Sequence, residues 1–179
     1  VKPTEPIAEP VEIKEYYISH LFFDANVDIL TPQNNKKLDQ LANLLLIYPK
    51  ITAELSCFEL PTGQKTFNLY FSIKKTEKAA EYLAGKGIPR SRLLLKGYGS
   101  SFPLVAKPVS NNISPLYPKL NQRLEIALHD YESEPLIIDI EGIKVPENLQ
   151  DPKGVKFSTL SNQLFYSVQI ASISQILQS

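Results

Sequence analysis

The chain has 179 residues, with 19 Lys and Arg against 19 Asp and Glu; a formal charge of zero gives no electrostatic reason to bind nucleic acid, which draws on a clear basic excess. At 43% hydrophobic and 21% charged, the composition is that of one ordinary globular domain with room for tails, and no apolar run approaches the ~18 residues of a membrane-spanning helix. The single cysteine, Cys57, excludes an internal disulfide, and the absence of methionine predicts a processed product or an excised piece.

Residues 1–15 alternate Pro with Glu and Lys and predict an extended linker. "YYISHLFF" (16–23) is aromatic and β-branched and predicts a strand, followed by a loop over "DANVDIL". Thr31 then supplies a capping hydroxyl, and Pro32 takes the first position of a helix. Leu38, Leu41, Ala42 and Leu45 form an apolar stripe at helical spacing, and Pro49 ends the helix. In "ITAELSCF" (51–58) Ile51, Ala53, Leu55 and Cys57 face one way, and Thr52, Glu54 and Ser56 the other. That alternation predicts a second strand with Cys57 as a buried core thiol. A second helix is predicted from about Phe67 to Ala84, with Gly85 and Gly87 at a left-handed cap.

"RLLLKGYG" (92–99) predicts a third strand. Residues 100–119, with four prolines, predict a long irregular connection. Leu124, Ile126 and Leu128 alternate in a fourth strand over 122–130. Helices alternating with strands in this order imply an α/β two-layer sandwich, with helices packed on a sheet. "PLIIDIEGIKV" (135–145) predicts a strand pair turning at Glu141-Gly142. "QLFYSVQIASISQIL" (163–177) predicts one further strand, and the last fifty residues hold too little for a second core.

Catalytic chemistry is not legible. No Ser–His–Asp or paired-carboxylate pattern stands out, and "GYGS" opens no helix as a phosphate loop would. His20 and His129 sit on predicted strands without a second ligand at metal spacing. Tyr98 and Phe102 read as packing residues. The expectation is a binding module without enzyme activity, metal or cofactor.

Four blocks in order then carry a resemblance. "FFDANVDILTP" (22–32), "SCFE" with "FNLYFSIKKT" (56–59 and 67–76), "GIPRSRLLLKGYG" (87–99) and "NQRLE" (121–125) are similar to the motifs of the OmpA-like peptidoglycan-binding domain. The resemblance covers residues 16–130. It implies a β-α-β-α-β-β domain with a mixed four-stranded sheet, flanked by a linker at 1–15 and an extension at 131–179. It further implies a periplasmic, outer-membrane-associated module of a Gram-negative envelope, whose partner is the diaminopimelate stem peptide of peptidoglycan. An envelope protein is the alternative partner, on a scaffold that has lost that ligand.

The family's ligand Asp falls on Glu59, with one extra residue in the loop that follows, and its ligand Arg falls on Lys75. Asn68, Ser72, Asn121 and Arg123 match the family and complete the implied site. Cys57, Phe58 and Gln122 depart from its His, Thr and Arg. Lys replaces a planar two-pronged donor with a point charge, so bidentate contact with a carboxylate is lost. Glu59 and Lys75 read either as this ligand pair or as solvated surface charges. Asn68, Ser72, Lys75 and Ala79 share a helical stripe, and the helix's first turns are expected to aim free N–H groups at the same mouth. The segment "FYSVQIAS" (165–172) also resembles the opening strand of SPOR-type domains.

Overall fold

The computed structural model describes residues 12–24, 29–105, 107 and 114–149. Its core is a four-stranded mixed sheet in the order β2-β5-β3-β4, with two long helices on one face. In chain order the elements are β1 (Lys14–Ile18), β2 (Leu21–Phe22), α1 (Pro32–Ile47), β3 (Thr52–Phe58), α2 (Lys65–Gly85), β4 (Leu93–Gly99), α3 (Leu116–Asn121), β5 (Arg123–His129) and β6 (Leu136–Ile140). The central strand β3 pairs parallel with β4 and antiparallel with β5.

Local chemistry accounts for the helices. The Thr31 hydroxyl accepts the Asn34 amide at 3.2 Å, and the stripe of Leu38, Leu41, Ala42, Leu44 and Leu45 is buried against the sheet. α2 ends where Gly87 takes φ +96° and its N–H reaches the Ala84 carbonyl. Two glycines of β4 set how closely α2 lies on the sheet. A Cβ on Gly97 would meet Ile73 at 2.5 Å, and one on Gly99 would meet the Leu69 amide at 2.9 Å.

Three expectations are corrected. The single strand over 16–23 is two short ones, because the pairing changes partner at Ser19-His20. β2 continues the main sheet against β5, while β1 leaves it and pairs parallel with β6. At the break the His20 ring takes a ladder position, its Nδ1 accepting the Ile126 amide at 3.0 Å. The strand pair over 135–145 is therefore one strand, β6, whose partner is far away in sequence. Residues 100–119 are not irregular throughout, since α3 begins at Leu116. Its Pro118 lies in the first turn, where no intrahelical donor is needed. The strand expected over 163–177 lies outside the described residues.

The chain after β6 packs back as a strap. Ile143, Val145 and Leu149 lie against a small second cluster of Val105, Tyr117 and Leu120.

Candidate functional site

Glu59 is the first residue beyond β3, after a register shift between Cys57 and Phe58, and its amide donates to the Gly99 carbonyl at 2.7 Å. α2 passes over the ends of β3 and β4 at this level, so Lys75, halfway along the helix, reaches Glu59. The two are neither exposed nor apart. Lys75 Nζ donates to Glu59 Oε2 at 3.0 Å, and Oε1 lies 2.8 Å from Nζ in the same ion pair. Their side chains are 3% and 6% exposed. The reading as solvated surface charges is corrected: this is a buried ion pair.

Its surroundings hold it in place. The Phe23 ring lies 4.8 Å from the Lys75 ammonium. Gln122 Nε2 donates to Glu59 Oε2 at 3.4 Å, while Gln122 Oε1 is buried without a hydrogen-bond partner. Burial, then the nearby Glu59 charge, push the Cys57 thiol well above its ordinary range, so Cys57 is an inert core thiol. The expected help from the start of α2 does not arise. Lys75 is ten residues from Lys65, about 15 Å along the axis from the free N–H groups of the first turn.

The other residues implied for the site are buried, each in hydrogen bonds of the fold. Asn68 Nδ2 donates to Ser100 Oγ at 3.1 Å. Ser72 Oγ donates to the Leu69 carbonyl and accepts the Gly99 amide. Asn121 Oδ1 accepts the Leu104 and Val105 amides, and its Nδ2 returns a bond to the Val105 carbonyl. Arg123 is fully buried between the Phe58 ring, 3.9 Å away, and Glu125, 2.6 Å away. Asn121 and Arg123 thus fasten the loop after β4 and the start of β5. Tyr98 stacks on Phe58 at 5.1 Å, with the Phe102 ring edge-on to both, so these rings pack as expected.

Sequence reasoning missed Phe23 as a member of the site, and it read Gln122 as a departure from the family without its hydrogen bond to Glu59. "FFD" and "NQR" contain them, but only the fold brings both strand ends to α2. It also missed a polar cluster on the opposite sheet face, where Glu54 accepts from Ser56 at 2.9 Å and from Lys96 at 2.7 Å. Among the described residues no group of three or more His, Cys, Asp and Glu is placed to hold a metal ion, and no helix is long and apolar enough to cross a membrane.

The chain is similar to outer membrane protein A of Yersinia pseudotuberculosis serotype I (strain IP32953), 31% identical over 141 residues. That match takes in 74% of this chain and 39% of the relative. It is 23% identical over 123 residues to outer membrane porin F of Pseudomonas fluorescens, covering 69% of this chain and 35% of the relative. The chain thus spans about two fifths or less of the length of these curated relatives. In structure it is similar to the peptidoglycan-associated lipoprotein from Burkholderia pseudomallei, with a TM-score of 0.52 and 19% identity over 61% of this chain and 88% of the other. The C-terminal domain of Helicobacter pylori MotB gives a TM-score of 0.52 at 18% identity, covering 62% of this chain and 84% of that one. No family model matches. The mixed sheet with its two helices is the OmpA-like fold that the four sequence blocks implied.

Proposed function

We propose that this OmpA-like chain is a non-catalytic module of the bacterial envelope that associates with peptidoglycan from the periplasmic side, close to the outer membrane. The finer part of the proposal is the ligand: the diaminopimelate of a stem peptide, taken at Glu59 and Lys75. The observation that carries it is the pair itself, one carboxylate and one ammonium in contact at the end of β3 with Gln122 Oε1 unpartnered beside them. A zwitterionic carbon fits by exchange. Its ammonium replaces Lys75 at Glu59, and its carboxylate replaces Glu59 at Lys75. Breaking a buried pair without replacement costs about 3–5 kcal/mol, so the ligand competes with an internal partner and binding is weak. Asn68, Ser72, Asn121 and Arg123 belong to this proposal as the residues that fix the surrounding backbone.

Sedimentation with purified sacculi tests the reading. The full chain should pellet with sacculi, and a tripeptide ending in diaminopimelate should release it. Failure to pellet would put a second reading first, a protein-binding module on the same scaffold. One observation favours that reading: Phe67, Tyr70 and Phe71 are exposed on one face of α2, with the Tyr70 and Phe71 rings 5.5 Å apart.

A further inference from the structure

A further opening lies away from Glu59 and Lys75. A cleft of about 690 Å³ lies between the end of β2, the first turns of α1, α3 and the strap after β6. That volume is in the range of small-ligand sites. Phe23 touches both places: it lines the cleft, and its ring lies 4.8 Å from the Lys75 ammonium.

Charges of both signs line the cleft, and one acid, Asp24, follows the end of β2. α1 and α3 bring Lys37 and Lys119, and the start of α1, with no acidic residue in its first turn, adds its partial positive charge. The end of β6 and the strap bring Asp139 and Glu141, with Lys144 beyond them. Lys37 holds the wall together, donating to the His20 carbonyl at 2.6 Å and lying 3.9 Å from Glu141. Lys119, Asp139 and Lys144 are exposed.

We propose that this cleft is a second binding site, for a short peptide carrying both carboxylate and ammonium groups. The ligand's carboxylates go to Lys119, Lys37 and the α1 start, and its ammonium goes to Asp139 and Glu141. The class is set by the presence of both signs in one lining: a simple anion leaves Asp24, Asp139 and Glu141 unmatched, and a simple cation leaves Lys37, Lys119 and Lys144 unmatched. The source of such a peptide in a cell, a peptidoglycan stem, rests on the function proposed above; the site does not. It differs from the Glu59–Lys75 pair in being open: Lys119 and Asp139 stand exposed, and only Lys37 and Glu141 already face one another, at 3.9 Å.

The test is a titration of the full chain with L-alanyl-γ-D-glutamyl-meso-diaminopimelate, followed by amide chemical shifts. Shifts are expected in α1, α3 and residues 139–144, and Lys119→Glu with Lys144→Glu, both exposed, should weaken binding at least tenfold. Shifts confined to residues around Glu59, Lys75 and Gln122, or none at millimolar peptide, would overturn the cleft. A parallel arm uses L-alanyl-L-glutamyl-L-lysine. Cleft binding of this peptide without pelleting on sacculi would keep the site and remove its peptidoglycan source, whereas pelleting without cleft shifts would do the reverse.

Discussion

Lys75 and Glu59 hold one another, which changes what a substitution there does. Lys75→Ala leaves a buried carboxylate without its cation, so the chain should lose about 3–5 kcal/mol of stability and no longer serve as a clean test of binding. Glu59→Leu with Lys75→Met removes both charges and should recover most of that loss; urea unfolding of the three proteins measures it. A double variant as unstable as Lys75→Ala would mean that the pair itself holds the fold. His20 is the second residue with a large effect. Burial draws its imidazole from 6.5 to about 4, opposed by Glu141 and aided by Arg123 and Lys37. The neutral ring accepts the Ile126 amide. The unfolded chain takes up the proton first as pH falls, so this contribution is whole above pH 6.5 and is lost down to about pH 4. A shift of that size corresponds to about 3 kcal/mol. Urea unfolding at pH 7 and pH 4.5 should show a smaller drop for His20→Asn than for the parent chain, and an equal drop would contradict it.

At the scale of elements, β6 carries the clearest consequence. It pairs with β1 from Lys14 opposite Leu136 to Ile18 opposite Ile140, and Leu136, Ile138 and Ile140 pack against the main core. A chain ended at Pro135 should therefore lose hydrogen-exchange protection over residues 14–18 while keeping it in β3. Unchanged protection would show β1 held without β6. What the sequence made legible follows the range of the interactions. The Thr31 cap, the stripe of α1 and the core-facing Ala53, Leu55 and Cys57 of β3 are set by neighbours a few residues away, and each is found as read, although Glu54 and Ser56 on the other face of β3 are buried too. The break at Ser19-His20 is not legible, because "YYISHLFF" has strand chemistry throughout and the change of partner depends on a histidine reaching Ile126. Likewise "PLIIDIEGIKV" shows a strand but not that its partner is Lys14–Ile18. In the site, the residue types of Glu59 and Lys75 were legible and their closure was not. Burial of that pair depends on Phe23 and Gln122, which arrive from opposite ends of the domain.

The whole molecule joins a closed pair and an open cleft, both touching Phe23, on a fold similar to that of the peptidoglycan-associated lipoprotein. The central claim is that the pair is a weakened peptide site still able to exchange partners. Glu59→Asp shortens the acid by one methylene and loosens the internal contact. Lys75→Arg adds a second prong, so one can stay on the acid while the other meets the ligand carboxylate. A charge-assisted hydrogen bond gained in this way is worth about 1.5–3 kcal/mol, which is tenfold or more in affinity. Calorimetric titration of both proteins with the diaminopimelate tripeptide is the most direct measurement. The account expects the Glu59→Asp, Lys75→Arg chain to bind more than tenfold tighter than the parent; equal affinities, or no heat from either, would contradict it.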